Sequence, residues 1–420
     1  MAAGLKGRLA RLKELGLVRA SALEAGADAT GHDTRYARRS AGAGGKGRDA
    51  PSPGLVPSET PRAAPSFLEG WSRECDFVWT RELRFPSSLP EFLDPAPFGP
   101  LCRRRSPSPV AVSHVEAERL RFFDLETTGL SGGTGTIAFL AAVGRREGSD
   151  FAVRQFFLQD FPGEGPFVAL VVAALEGGTI VSYNGRAFDL PLLRTRCVMN
   201  GMSLPDYPHV DALFAARRLW KRSCGGASLS LVERGALGIE RGEDLPGSLI
   251  PEVWLGYLRT GDHPLMRLAM SHNAEDVHGL SRVVSLAARI FSEPRAWAAS
   301  TSLDRGGLGR SLLAAGRREE AEEMLEAALG DGDESAGLLL CRRLRREGRA
   351  LDLARVVSML PGGYRSSVER AKYYERDARD PREALAWAEL AASEAPTPRA
   401  SEELERRIAR LRRKATRPSS

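Results

Sequence analysis

Between Leu120 and Asn184 the apolar positions fall into short blocks. LRFFDLE (120–126), TIAFLAAVG (136–144) and FAVRQFFL (151–158) have strand length and are rich in aromatic and branched residues, with a Gly-rich turn between the first two. PFVALVVAALEGG (166–178) is apolar over a helical length and leads into a further β-like block, TIVSYN (179–184). From there the spacing turns helical, through FDLPLLRTRCVMNG, DALFAARRLW, SLSLVERGALG and RLAMSHNAEDVHGLSRVVSLAARIF. Three strands, a helix, another strand and several helices predict an α/β fold with a mixed sheet and flanking helices.

After Glu293 the chain becomes rich in Ala, Leu, Arg and Glu. LGRSLLAAGRREEAEEMLEAALGDGD has the pattern of a helix hairpin with Gly316 at its bend, Gly348 recurs downstream, and ERDARDPREALAWAELAAS repeats the shape. Paired helices at a period near ~34 predict tetratricopeptide-like repeats. These patterns divide the chain into a disordered basic tail (1–66), an extended lead-in packed on the domain that follows (67–118), the α/β domain (119–293), the helical repeats (300–395) and a basic C-terminal helix or tail (396–420).

Composition narrows the classes. Net charge is +6 over 420 residues, and residues 1–50 alone carry ten Lys or Arg against five acids. A basic tail raises the isoelectric point whatever the folded parts do, so charge alone does not argue for a nucleic-acid partner. Five scattered cysteines without a CxxC pair speak against a disulfide framework or zinc site and for a reducing, cytoplasmic setting. The longest apolar runs, such as Phe167 to Leu175, fall short of the ~20 residues of a membrane span.

Three segments carry candidate chemistry. Asp124 and Glu126 are i and i+2 on a strand and so share one face. Two solvated acids at a strand end would look the same. Gly133, Gly135 and Ala138 imitate a dinucleotide loop, but a strand rather than a helix follows, which excludes it. In YNGRAFDLP (183–191), Asp189 stands where a helix begins and suits an N-cap as well as a site residue. In SHNAEDVHGL (271–280), His272 and Asp276 are four apart on one helix face and would serve equally as an exposed ion pair. Together the segments supply four carboxylates, Asp124, Glu126, Asp189 and Asp276. Hard oxygen donors in that number suit two Mg²⁺ or Mn²⁺ ions. Such a pair, about 4 Å apart, activates water and stabilises the leaving oxygen in phosphodiester hydrolysis.

On these motifs the chain resembles the exonuclease superfamily with the ribonuclease-H-like fold and an Asp-Glu-Asp-Asp set. DLETTGL, YNGRAFDLP and HNAEDV are similar to its three motifs. The fuller run through HVDALFAARRLWK, SLSLVE and LPGSLIP resembles the YprB-type proteins, over roughly residues 67 to 393. The resemblance implies a metal-dependent nuclease, with Asp124, Glu126, Asp189 and Asp276 holding the metals and His272 at the general-base position. His272 stands four residues before the last Asp, the spacing at which this superfamily carries Tyr. The resemblance also implies contacts of Thr128, Leu130 and Asn184 with a terminal nucleotide, a helix-cap or supporting role for Asp211, and 3′ to 5′ action on single-stranded DNA or RNA. The repeats would offer a groove for a protein partner or the nucleic acid. The competing reading is a non-catalytic platform that binds nucleic acid or protein.

Overall fold

The computed structural model describes residues 64–93, 115–129 and 135–416. The expected tail over 1–66 lies outside these residues up to position 63, as do Leu130, residues 94–114 of the lead-in and residues 417–420. The chain separates into two compact units, Met1–Arg289 and Ile290–Ser420.

Strands of the first unit are β1 (Ser72–Cys75), β2 (Val78–Pro86), β3 (Phe92–Leu93), β4 (Val115–Glu116), β5 (Leu120–Thr127), β6 (Ala138–Glu147), β7 (Asp150–Leu158), β8 (Thr179–Ser182) and β9 (His209–Asp211). Among the described residues, seven of them form one sheet in the order β1-β2-β7-β6-β5-β8-β9, and β3 pairs with β4. β5, β6 and β7 are antiparallel neighbours, whereas β5, β8 and β9 run parallel. This is the mixed sheet that the periodicity predicts. The flanking helices are α1 (Glu164–Leu175), α2 (Asp189–Met199), α3 (Ala212–Leu219), α4 (Leu229–Val232), α5 (Ile250–Thr260) and α6 (Met266–Ser292). A π-helical turn, Glu233–Leu237, continues α4. β9 and α5 are additions to the sequence reading. α5 begins at LPGSLIP, where Pro251 lies in the first turn and hides a helix start.

The core explains why these segments take these forms. Phe123, Leu125, Phe139 and Phe157 from the sheet are buried with Phe167 of α1, Leu193 of α2, Trp254 and Tyr257 of α5 and Met270 of α6. Burying each such side chain contributes roughly 1.5–3 kcal/mol. Phe67, Trp71 and Val78 of the lead-in belong to the same core, with Phe67 edge-on to Tyr257 at 5.1 Å and to Phe157 at 5.8 Å. β2 pairs with β7 along its length, so the lead-in supplies two strands of the sheet.

Where α6 crosses the sheet, Gly144 of β6 is indispensable. A Cβ there would lie 2.5 Å from Phe151 Cζ and 2.6 Å from Val277 Cγ1. The missing side chain lets α6 lie close against β6 opposite Phe122 of β5, and so brings residues 272–276 to Asp124.

The second unit is helical: α7 (Arg305–Ala314), α8 (Arg318–Gly330), α9 (Glu334–Glu347), α10 (Ala350–Met359), α11 (Tyr364–Arg376), α12 (Pro381–Ser393) and α13 (Pro398–Ala415). Sequential helices pack together, α7 on α8, α11 on α12 and α12 on α13. Alternate helices begin at Arg305, Glu334 and Tyr364, and at Arg318, Ala350 and Pro381, roughly 30 residues apart. The basic C-terminal segment is helical through Ala415, and Glu375, buried on α11, gathers Arg410, Lys414 and Arg407 of α13 at 3.0, 3.1 and 3.7 Å. No described helix is long and apolar enough to cross a membrane.

Candidate active site

Parallel β5, β8 and β9 end at one edge of the sheet, the edge at which ligands bind in open α/β folds. Asp124 and Glu126 lie in the last half of β5, the turn 184–188 leaves β8, and Asp211 closes β9.

The turn after β8 is held from β9. Asp211 caps α3 through the Leu213 N–H and also accepts the N–H groups of Asn184 at 2.7 Å and Arg186 at 3.2 Å. Asn184 takes a left-handed φ of 70°, and Ser182 Oγ accepts the Gly185 N–H at 3.1 Å. A Cβ on Gly185 would lie 2.8 Å from Asp189 Oδ2, so this glycine gives the carboxylate its place. The N-cap of α2 is Phe188, and Asp189 is the first helical residue. The backbone of Asp189 itself and of Leu125 on β5 favours the charged form of this carboxylate, against burial. Asp189 is thus the first residue of α2 and not its cap.

His209 lies beside this turn, its Nε2 2.8 Å from Ser182 Oγ. Burial, helped by the Arg186 charge, pushes it down to about 4. Its folded value lies below the ordinary one near 6.5, so the unfolded chain binds the proton more readily. Its contribution to stability is complete above about pH 6.5 and is lost as pH falls toward about 4. Thermal midpoints should accordingly fall more steeply across that interval in the natural chain than in His209→Gln, and parallel curves would refute this.

Asp124 Oδ2 accepts Asn273 Nδ2 at 2.8 Å. Asn273 Oδ1 accepts Gln155 Nε2 at 2.9 Å, and Gln155 Oε1 accepts Arg81 Nε at 2.7 Å. A polar chain thus runs from β2 through β7 and α6 to Asp124. Asn273 is fully buried on the stripe Met266, Met270, Asn273, Val277; a polar residue on an apolar helix face is the signal by which the sequence exposes it.

The four carboxylates come into mutual electrostatic reach. Burial first, and then the Asp276 charge, pushes Asp124 up to about 7 despite the Asn273 bond, His272 and Arg241. Glu126 is raised well above the carboxylate range by burial and by Asp124, Asp276 and Asp189, with His272 opposing. Asp189 is raised well above it by burial and by the Asp124 charge. Clustered acids under this strain are the donor set that a hard divalent cation relieves. Among the described residues, no three His, Cys, Asp or Glu side chains already converge as a metal cage.

Asp276 is engaged instead by cations of the protein. Arg241 Nη1 lies 2.5 Å from its Oδ1, and His272 Nε2 lies 3.4 Å from its Oδ2. Arg241 Nε also donates to Glu233 Oε2 at 2.8 Å, and His272 Nδ1 lies 2.7 Å from Asp244 Oδ1. Burial alone lowers the affinity of His272 for its proton, but Asp276, Asp244 and Glu126 outweigh it and push the imidazole up to about 10. Sequence reasoning missed Arg241 and Asp244, whose charge-rich segment looks like a solvated loop, and Glu233, an acid on a helical pattern that looks like any exposed helix residue.

Of the expected nucleotide contacts, Thr128 and Asn184 lie among the described residues. Thr128 closes the turn that follows β5: its N–H donates to Ile137 O at 2.9 Å and its hydroxyl accepts the Ile137 N–H at 3.0 Å. Asn184 faces the same edge from the β8 turn, its N–H given to Asp211.

Such a sheet, with acids at the carboxyl edge of its parallel strands, is that of a ribonuclease-H-like protein. Residues 121–288 match the RNase_H superfamily. The uncharacterized protein YprB of Bacillus subtilis (strain 168) is 33% identical over 314 residues, covering 70% of this chain and 75% of that protein. The chain belongs to the YprB family, within the ribonuclease H superfamily. Among solved structures, a family B DNA polymerase from Pyrobaculum calidifontis aligns over 60% of this chain and 33% of its own length, at 18% identity and a TM-score of 0.31, a likeness too slight to carry an argument.

Proposed function

We propose that the first unit is a divalent-metal-dependent nuclease that removes nucleotides from the 3′ end of single-stranded nucleic acid. The observation that carries this reading is the gathering of Asp124, Glu126, Asp189 and Asp276 at the carboxyl edge of parallel strands, where burial and neighbouring acids raise the first three. A fold has no need to gather such acids unless a cation joins them. Asp124, Glu126, Asp189 and Asp276 would hold Mg²⁺ or Mn²⁺, which supplies activation of water and charge stabilisation at the scissile phosphate. Asn273 keeps the Asp124 carboxylate aimed into the site through its 2.8 Å bond. Bound cations would offset the charge of the acids, and His272, its proton then less strongly attracted, would be able to accept one at Nε2. The helical unit would serve as an accessory surface for nucleic acid or a protein partner.

The experiment is degradation of 5′-labelled single- and double-stranded DNA and RNA with Mn²⁺ or Mg²⁺, with free and blocked 3′ ends. Progressive shortening of free-ended single strands, and protection by the block, are expected. In His272→Gln, kcat should fall by about 10²–10⁴-fold, the usual worth of a general base, with Mn²⁺ affinity little changed. One observation favours a second reading, a non-catalytic platform: both Asp276 oxygens already face protein cations. Absence of Mn²⁺ binding by calorimetry, together with inert substrates, would establish that platform in place of the nuclease.

A further inference from the structure

The loop between the π-helical turn and α5 reaches His272 at two points. Asp244 Oδ1 lies 2.7 Å from Nδ1, and Gly247 stands on the other side of the ring, where its Cβ would be 3.6 Å from Nε2. The ring is largely buried, with 14% of the side chain exposed. An imidazole rotates about its terminal torsion between two nearly equivalent orientations. Four residues before Asp276 on one helix face, either nitrogen could pair with that acid. The bond to Asp244 removes this degeneracy, because it ties the Nδ1 proton and leaves Nε2 beside Asp276 Oδ2 at 3.4 Å.

We propose that Asp244 is a positioning residue of the candidate nuclease, holding His272 by Nδ1 so that Nε2 faces the acid cluster. The proposal rests on the nuclease reading and deepens it: it explains how a histidine works at a spacing where the superfamily carries tyrosine. Asp244 lies against the His272 ring and, at 3.6 Å, against Arg241 Nη1, and it acts on the cluster through the ring. Histidine ligands and bases are commonly oriented by such a carboxylate, and losing one costs about 10–100-fold in activity or metal affinity.

The test uses the full chain and two readouts. In metal-free protein with ¹⁵N-labelled histidine, the hydrogen-bonded Nδ1 proton of His272, assigned by its loss in His272→Gln, should be visible in the natural chain and in Asp244→Asn, which keeps an acceptor. It should be lost in Asp244→Ala. With Mn²⁺ and a single-stranded oligonucleotide, Asp244→Ala should lower kcat by about 10–100-fold at unchanged KM and Mn²⁺ affinity, and Asp244→Asn should recover most of it. If the alanine chain does not fold, Asp244→Glu, which displaces the carboxylate by one methylene, must show the same losses. An active natural enzyme with an unaffected Asp244→Ala, or a loss confined to KM or Mn²⁺ affinity, would overturn the positioning role and leave the nuclease standing. A natural chain inert on every substrate would overturn both.

Discussion

Asp124→Asn is expected to abolish nuclease activity and, in the same chain, to raise the melting temperature of the metal-free protein. The substitution keeps an acceptor for Asn273 Nδ2 and the shape of the side chain, so the polar chain to Gln155 and Arg81 survives. What it removes is one of the acids that burial and mutual repulsion hold above their usual range. In the absence of a cation this is a relief of strain, on the order of 1 kcal/mol, or ~2–4 °C for a domain of this size. In the presence of Mn²⁺ the order should invert. The natural chain gains about 2.7 kcal/mol at a hundredfold excess over Kd, whereas the variant, lacking a central ligand, gains little. Turnover should fall by at least on the order of 10²–10³-fold, as when a preorganised charge is removed from a reaction centre. Melting curves with EDTA and with Mn²⁺, beside a degradation assay, decide the matter. A variant less stable than the natural chain in EDTA, or equally stabilised by Mn²⁺, would show that the acids are not a metal site.

The second large effect is expected at Arg241. Its guanidinium lies between Glu233 and Asp276, at 2.8 and 2.5 Å, with Asp244 at 3.6 Å. Arg241 and Glu233 are 9% and 4% exposed as side chains, so solvent does little to screen the pair. The neighbouring acids hold the Arg241 proton against the pull of burial. Arg241→Met would leave Glu233 as a buried charge without a partner, at a cost of about 3–5 kcal/mol. Urea unfolding, followed through the buried Trp220 and Trp254 of the same unit, should show the midpoint fall accordingly. Adding Glu233→Gln should restore most of the loss, because both charges are then gone and Asp276 keeps His272. Additive losses in the double variant would mean that the two side chains act independently.

The strand blocks around 120–158 were legible because each buries aromatic and branched residues over a few consecutive positions. β9 escaped, since three residues around His209–Asp211 are too few to show a period, and α5 escaped behind Pro251. In the candidate site, Asp124 with Glu126 and His272 with Asp276 were found by spacing alone, because i+2 on a strand and i+4 on a helix already place side chains on one face. Asp189 stood open between a cap and a site residue, and only the folded chain gives the cap position to Phe188 and makes Asp189 the first residue of α2.

The sequence alone determined which acids exist, which element each lies on, and that the fold is a mixed α/β sheet followed by helices, because these follow from periods of two to four residues. The tertiary structure alone decided what surrounds those acids. Gly144 admits α6 to the sheet, Gln155 and Asn273 aim Asp124, Arg241 seizes Asp276, and Asp244 fixes the face that His272 presents. Each of these contacts joins segments far apart in the chain, where no local period runs, and a charged loop residue reads alike whether it faces water or a buried acid.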